Sequence, residues 1–169
     1  DSITPNGDYP VFGGNGLRGY TNSYTHDGYY VLIGRQGALC GNINYAEGKF
    51  WASEHAVVAI TLKKHDTFWL GELLRMMNLN QYSNAAAQPG LAVERIKLLR
   101  IPVPPYEEQI WIASWLKNAI IKNEKMVSIL KEQIDTLTAY RKSLIHECVT
   151  GQRRITEADV RRAQNGRAP

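Results

Sequence analysis

The sequence changes character at Ile101-Pro102-Val103-Pro104-Pro105-Tyr106-Glu107-Glu108-Gln109. Its prolines favour an extended backbone, because each of them restricts both its own torsion angle and the residue before it. Glu107 and Glu108 then supply negative charge where the dipole of a helix stabilises it. The stretch therefore predicts that a helix begins at Tyr106, and it separates a Gly- and aromatic-rich half of the chain from a helical half.

The segment after this stretch predicts one long helix. No Pro or Gly occurs between Tyr106 and Thr150, and Gly151 provides a natural C-terminal stop. At 1.5 Å per residue, about 44 residues form a helix of roughly 65 Å. Hydrophobic positions recur at alternating spacings of four and three, which is the pattern of a coiled-coil seam. The predicted seam consists of Leu116, Ile120, Asn123, Val127, Leu130, Ile134, Leu137, Arg141, Leu144 and Cys148.

Two members of this seam are polar, Asn123 and Arg141. In a paired helix such residues weaken the association while they fix its register and orientation. Alternatively, the helix bends and leaves both side chains in water, and the two interpretations stay open at this point. In either case the apolar stripe is too long for a solitary helix in water, so a second helix is the expected partner.

The half before the prolines predicts short strands. Residues 1–30 contain many Gly, Asn and Asp turn signals, and Tyr29 to Ile33 form a β-rich run that the turn 34–37 ends. The aromatic pair Phe50-Trp51 and the run 56–62, which is rich in β-branched residues, predict further strands. The fold class that follows is α+β, with a mainly antiparallel sheet and a long coiled-coil-forming helix.

Helical signals in this half are weaker. Thr67 is the predicted N-cap of a helix over 68–77, whose apolar residues recur at helical spacing. The segment 78–91 is expected to be a polar loop, and 93–99 to contain a short further element. The predicted domains are a globular domain over 1–105, a long spacer or dimerisation helix over 106–151, and a basic C-terminal tail over 152–169.

Composition allows a folded domain and a polyanionic partner. Hydrophobic residues make up 44% of the 169-residue chain, and the formal net charge is +4. Residues 1–105 carry nine Lys or Arg against eight Asp or Glu, and residues 106–169 carry eleven against eight, so most of the excess charge follows the prolines. Cys40 and Cys148 are far apart and form no disulfide framework, which favours a reducing compartment. With no membrane-length apolar run, we expect a cytoplasmic protein with no membrane partner.

Several short motifs resemble enzymatic sites but lack the required context. Gly14 to Gly19 matches the dinucleotide fingerprint GxGxxG, although the following residues do not predict a helix. Residues 41–49 have the wrong spacing for a phosphate loop, and Pro104-Pro105-Tyr106 lacks the acidic or amide residue of an adenine methyltransferase motif. The four histidines show no metal-ligand spacing. We therefore expect no catalytic residue and no metal site in this chain.

The remaining chemistry is suited to DNA contact. Arginine and lysine side chains bind phosphates or guanine, whereas asparagine and glutamine side chains bind base edges. Many of these residues are in Gly-flanked loops that can follow a groove. The predicted DNA-binding residues are Asn15, Arg18, Arg35, Gln36, Asn42, Asn44, Lys49, Asn84 and Gln88. His55 and Trp51 are assigned provisionally to folding.

Five ordered blocks of this sequence resemble the specificity subunits of type I restriction–modification systems. The blocks are Tyr9-Pro10-Val11-Phe12-Gly13-Gly14-Asn15-Gly16, Val31-Leu32-Ile33-Gly34-Arg35-Gln36-Gly37-Ala38, Phe50-Trp51-Ala52-Ser53-Glu54-His55, Gln88-Pro89-Gly90-Leu91 and the stretch 101–109. Together with the helix they cover about residues 9–151. The proline–glutamate block is the most specific of them.

The resemblance implies a non-catalytic role in defence against foreign DNA. Residues 1–105 resemble a target recognition domain, and 106–151 resemble the spacer helix that pairs antiparallel with a second one. In that family, modification subunits bind S-adenosylmethionine and methylate adenine, and a motor-nuclease restriction subunit, which requires ATP and magnesium, translocates and cuts DNA. The implied partners are these subunits and double-stranded DNA with a bipartite, interrupted site. No cofactor is expected on this chain itself.

A single recognition domain leaves three arrangements open. The chain is one half of a longer subunit, or a half-length subunit that dimerises and reads an inverted repeat, or the C-terminal specificity module of a fused type II restriction-methyltransferase. A different class of function is a coiled-coil adaptor that binds proteins and reads no DNA.

Overall fold

The computed structural model describes residues 3–84 and 90–165. The chain divides into two compact units, Asp1–Leu116 and Lys117–Pro169. The strands are β1 (Tyr9–Gly13), β2 (Gly16–Thr21), β3 (His26–Asp27), β4 (Tyr30–Gly34), β5 (Ile43–Ala46), β6 (Lys49–Ala52), β7 (Ala56–Ala59), β8 (Ser83–Asn84) and β9 (Gly90–Leu91). The helices are α1 (Thr67–Met76), α2 (Val93–Lys97), α3 (Tyr106–Val149) and α4 (Glu157–Asn165), with a 3-10 turn at Leu79–Tyr82.

Two sheets and a short ribbon build the first unit. The first sheet has the order β2-β1-β6-β3, the second has the order β5-β4-β7, and β8 pairs with β9. All pairs are antiparallel except β1 with β6. The α+β class, the mainly antiparallel strands and the long helix are thus confirmed.

Strand β4 separates two hydrophobic clusters, because successive side chains of a strand point to opposite faces. Val31 and Ile33 pack in a cluster that includes Trp69 and Leu70 of α1. Leu32 packs on the other side against Phe50, which is fully buried. Helix α1 and the β4–β5 sheet are therefore two layers packed against each other.

Tyr45 of β5 fastens α1 to this sheet. Its hydroxyl donates a 2.8 Å hydrogen bond to Oε1 of Glu72. Burial, followed in importance by this hydrogen bond to Glu72, raises the pKa of Tyr45 above its ordinary value. The hydroxyl thus stays protonated and acts as a donor at neutral pH.

Three local expectations were wrong in detail. The N-cap of α1 is Asp66 and not Thr67, because the Asp66 carboxylate accepts the N–H of Trp69 at 2.8 Å. The segment 78–91 is not a simple loop, since Leu79 opens the 3-10 turn and is fully buried. Strand β7 ends at Ala59, and Leu62 is completely exposed.

The start of α3 is held by one buried amide. Gln109 is only 2% exposed. Its Nε2 donates to the carbonyl of Pro104 at 2.9 Å, and its Oε1 accepts the N–H of Asp66 at 3.0 Å. Because Asp66 caps α1, this side chain joins the beginnings of both helices to the proline stretch.

Helix α3 begins at Tyr106, as the proline stretch predicts, and ends at Val149. Gly151 adopts a φ of 76°, a left-handed conformation that suits glycine after a helix end. In the second unit, Thr156 and Asp159 form a capping box at the start of α4, in which the Asp159 carboxylate accepts the Thr156 N–H at 3.0 Å. Hydrogen bonds from Thr156 lower the pKa of Asp159. The segment 152–169, which the sequence predicts as a basic tail with a short helix, contains the capped helix α4.

Replacing Gln109 by Ala should destabilise the first unit by about 1–3 kcal/mol, because it leaves the partly buried N–H of Asp66 and C=O of Pro104 without their partner. The free energy of unfolding in urea measures the effect. Gln133→Ala is the matched control, since Gln133 is an exposed glutamine of the same helix and should change stability by less than about 0.5 kcal/mol. Equal effects for the two variants would contradict the role assigned to Gln109.

Candidate nucleic-acid interface

An open groove lies where two loops of the first unit meet. One loop is the tip of the β1–β2 hairpin, and the other is the connection 35–42 between β4 and β5. The residues that line the groove are Gly14, Asn15, Leu17, Arg18, Gln36, Gly37 and His55. Three of the predicted DNA-binding residues, Asn15, Arg18 and Gln36, thus come together although 21 positions separate the first from the last in sequence.

Glycine allows the hairpin tip to touch the end of β4. A Cβ atom on Gly34 would collide with the carbonyl oxygen of Gly14, and one on Gly14 would lie 3.2 Å from the carbonyl oxygen of His55. The two backbones therefore approach closely because Gly34 lacks a side chain, while the missing side chain of Gly14 leaves room for the His55 carbonyl. This contact fixes the tip relative to the β4–β5 loop.

Arg18 occupies a β-bulge. Phe12 pairs with Leu17 and Val11 pairs with Gly19, so Arg18 is the extra residue in strand β2. A bulge redirects the side chain of the extra residue and often occurs next to functional sites. The Arg18 side chain lies over Gly13 and borders the groove.

Backbone hydrogen bonds hold the β4–β5 loop beside its neighbours. The N–H of Arg35 donates to the carbonyl of His55 at 2.9 Å, and the carbonyl of Arg35 accepts from Leu91 at 2.8 Å. Asn42 Nδ2 donates to Asn15 Oδ1 at 2.9 Å, which links this loop directly to the hairpin tip. The Arg35 side chain itself is exposed. The frame is thus built from backbone, and polar side chains remain available at its surface.

His55 contributes to the groove, although the sequence indicated only a folding role. Its Nε2 lies 3.0 Å from Oε1 of Glu54. Its Nδ1 is buried and has no hydrogen-bond partner within the described parts of the chain. The position of His55 at the end of the block 50–55 is the sequence signal from which a role in the groove could have been predicted.

The other predicted DNA-binding residues lie elsewhere. Asn44 is in β5, its Nδ2 is buried, and its Oδ1 lies against Gly16 under the hairpin. Lys49 begins β6 at the opposite end of the β4–β5 hairpin from Gln36, with its Nζ 4.8 Å from the ring centre of Tyr24. Asn84 pairs with Gly90 through its backbone, and nothing is described of its side chain. Gln88 falls outside the described residues. DNA contact by each of the nine residues stays a prediction.

The predicted seam of α3 is largely open to solvent in the described chain. Exposure of its apolar members rises from 38% at Ile120 to 66% at Leu137. Asn123 and Arg141 are exposed, whereas Leu144 and Cys148 are half-buried. Pairing along this seam stays a prediction, and the stripe that it requires is present.

A family model matches most of the sequence. A model of the type I restriction modification DNA specificity domain matches residues 1–139. The chain belongs to this family.

Two curated members of this type I specificity family resemble the chain. It is 52% identical over 108 residues to the type I restriction enzyme EcoprrI specificity subunit of Escherichia coli, covering 64% of this chain and 27% of that protein. It is 30% identical over 118 residues to a putative type I restriction enzyme specificity subunit, S.HindORF215P, of Haemophilus influenzae, covering 68% and 31% respectively. The chain thus spans about a third or less of these relatives.

A solved structure shows the same fold. The S subunit of a type I restriction-modification system from M. genitalium matches with a TM-score of 0.63 and 20% sequence identity, over 86% of this chain and 39% of that one. The arrangement of strands followed by a long helix is therefore the fold of a type I specificity subunit.

The described residues form neither a metal centre nor a membrane-spanning helix. Among them, no three His, Cys, Asp or Glu side chains lie close enough together to hold a metal ion. No helix in the described ranges is both long and apolar enough to cross a bilayer. The GxGxxG motif of residues 14–19 forms a hairpin turn and strand β2, and no helix follows it directly.

Replacing Gly34 by Ala should displace the hairpin tip and destabilise this specificity domain by about 1–3 kcal/mol, because the new methyl group overlaps the Gly14 carbonyl. Thermal unfolding measures the loss. Gly90→Ala is the control, since its methyl group would lie 3.9 Å from the nearest atom, the Arg35 carbonyl oxygen. A stable Gly34→Ala protein would show that the tip is not held by this contact.

Proposed function

We propose that the first unit reads the sequence of double-stranded DNA, and that the groove between the β1–β2 tip and the β4–β5 loop is its contact surface. The observation that carries this proposal is the meeting of Asn15, Arg18 and Gln36 on one open groove. Arg35 and Asn42 lie on the same loop as Gln36. Membership of the DNA specificity family supports the choice of DNA as the ligand.

The chemistry of these side chains fits both parts of DNA recognition. Arginine makes two parallel hydrogen bonds to guanine or grips phosphates, and asparagine or glutamine makes a similar pair of hydrogen bonds to adenine. Loops that enter the major groove carry such residues to base edges, while contacts to the backbone set the register. Arg18 and Arg35 are the two cations of the set.

Within a type I complex, this chain acts as the non-catalytic specificity part. It directs modification subunits, which bind S-adenosylmethionine and methylate adenine, and a motor-nuclease subunit, which uses ATP and magnesium. The exposed seam of α3 takes a second spacer helix, so that two recognition domains stand at a fixed distance on a bipartite site. The support is the length of α3 and its uncovered apolar stripe.

Arg18→Ala should weaken DNA binding by about 1–3 kcal/mol if Arg18 makes a bidentate guanine contact. The duplex is first selected from a random library with the unmodified chain, and fluorescence anisotropy then compares variants on that duplex. Binding should also fall steeply with salt, because released counterions drive it. Lys49→Ala removes the same charge outside the groove and should have a smaller effect.

The outcomes separate the candidate functions. Unchanged affinity for Arg18→Ala, combined with a loss for Lys49→Ala, would move the contact surface away from the groove. No selected duplex at all would favour a coiled-coil adaptor that binds proteins. Methyl transfer to DNA by this chain alone would overturn the non-catalytic assignment.

Ile134→Ala should weaken self-association or pairing with a second helix, because a seam residue buries its side chain on pairing. Ile129→Ala is the matched control, since Ile129 is also exposed but lies on the same helix outside the seam. Light scattering and sedimentation measure the association. Equal effects of the two substitutions would contradict the seam.

A further inference from the structure

Leu17 is an apolar side chain in an otherwise polar groove. It lies in β2 next to the bulge at Arg18 and is 55% exposed. The other side chains that line the groove all carry hydrogen-bonding groups, and they are those of Asn15, Arg18, Gln36 and His55. Packing of an exposed leucine against an apolar group is favourable, because it removes apolar surface from water. A ligand that offers an apolar group beside polar ones therefore fits this part of the groove.

The side-chain amide of Asn15 is oriented by its neighbour. Asn42 Nδ2 donates a hydrogen bond to Asn15 Oδ1 at 2.9 Å. Within the described residues Asn15 Nδ2 donates to no acceptor, and Asn15 is exposed. The hydrogen bond thus holds the oxygen towards Asn42 and leaves the two N–H groups of the amide for a ligand. The hairpin tip therefore presents a hydrogen-bond donor from Asn15 and an apolar group from Leu17 to the same groove.

The turn that carries Asn15 is held on both sides. The Gly14 carbonyl lies against Gly34 at the end of β4. A Cβ atom on Gly16 would lie 3.2 Å from Oδ1 of Asn44, so this glycine lies against β5. The position of the donor and of the apolar group is therefore set before a ligand binds, which lowers the ordering cost of binding.

Thymine matches this pair of groups better than the other bases do. In the major groove, thymine presents the acceptor O4 beside its C5-methyl group. Adenine and cytosine each present an amino donor on that edge, and guanine presents two acceptors but no methyl group. A donor beside an apolar side chain is thus complementary to thymine in both hydrogen bonding and apolar contact.

We propose that the β1–β2 tip reads one thymine in the major groove, with Asn15 Nδ2 donating to O4 and Leu17 packing on the C5-methyl group. This inference rests on the proposed DNA-reading function and adds one base of the target and the two side chains that recognise it. Asn42 is a positioning residue, because it sets the direction of the Asn15 amide and leaves the base to Asn15.

Removal of a single methyl group tests the Leu17 contact. In the duplex selected with the unmodified chain, each thymine is replaced in turn by deoxyuridine, which lacks only the C5-methyl group. One replacement should lower the affinity about fourfold, the effect of one buried carbon group. In Leu17→Ala the same replacement should leave the affinity unchanged. Fluorescence anisotropy measures the four affinities, and Leu17→Ser gives the same comparison should the alanine variant fail to fold.

Leu39→Ala is the matched control for this comparison. Leu39 is 53% exposed and lies in the β4–β5 loop, but it is not among the described residues that line the groove. This variant should retain the fourfold difference between thymine and deoxyuridine. Loss of the difference in both leucine variants would show that the effect is not specific to Leu17.

A change at O4 tests the amide. At the position found with deoxyuridine, 4-thiothymine replaces the oxygen by sulfur, a weaker acceptor, and keeps the methyl group. The affinity of the unmodified chain should fall by about threefold, since one neutral hydrogen bond is weakened and not abolished. Asn15→Ala should bind both duplexes equally. In Asn42→Ala the difference should shrink, whereas a merely structural role of Asn42 would weaken both complexes by the same factor.

The results separate this inference from the proposed function. A selected duplex in which no deoxyuridine replacement matters, or in which the loss persists in Leu17→Ala, would show that the tip reads no thymine methyl group, while DNA reading itself would stand. A 4-thiothymine effect that persists in Asn15→Ala would assign O4 to another side chain and also overturn the inference. Failure to select any duplex would refute the proposed function and the thymine contact together.

Discussion

The buried side-chain amide of Gln109 joins the proline stretch and the start of α3 to Asp66 at the start of α1, which lies 43 positions earlier in the sequence. Its two hydrogen bonds reach Pro104 before α3 and Asp66 at the start of α1, so neither helix can shift without leaving a buried polar group unpaired. Since α1 also packs on β4 and β5, the bridge transmits a fixed position to the sheet that carries the groove. The proline stretch is therefore positioned by this hydrogen bond to Pro104 as well as by the stiffness of its prolines.

The groove combines a rigid frame with exposed polar side chains. Backbone contacts between Gly14 and Gly34, and hydrogen bonds from Arg35 to its neighbours, define where the two loops lie. The bulge at Arg18 then turns a cation to the rim of the groove. Such separation of frame and exposed side chains suits the proposed contact with a double helix, in which several side chains act at once.

Features that depend on local sequence were predictable, and those that depend on distant packing were not. Proline, glycine and heptad spacing located α3 and its stop at Gly151 because these signals act within a few residues. Leu79 is flanked by polar residues, so its burial could not be predicted from the local sequence. Asn44 and Lys49 carry suitable chemistry, yet only the strand register reveals that one points under the hairpin and the other lies at the far end. His55 reached the groove through a tertiary contact with Arg35 that no short pattern encodes.

The close approach of the backbones at Gly14 and Gly34 has a consequence for which positions of the two loops can vary. Because the loops are anchored through main-chain atoms, the amino acids they display can be exchanged without rebuilding the scaffold. Under the proposed DNA-reading function, a different target preference then requires changes in only two short segments of the chain.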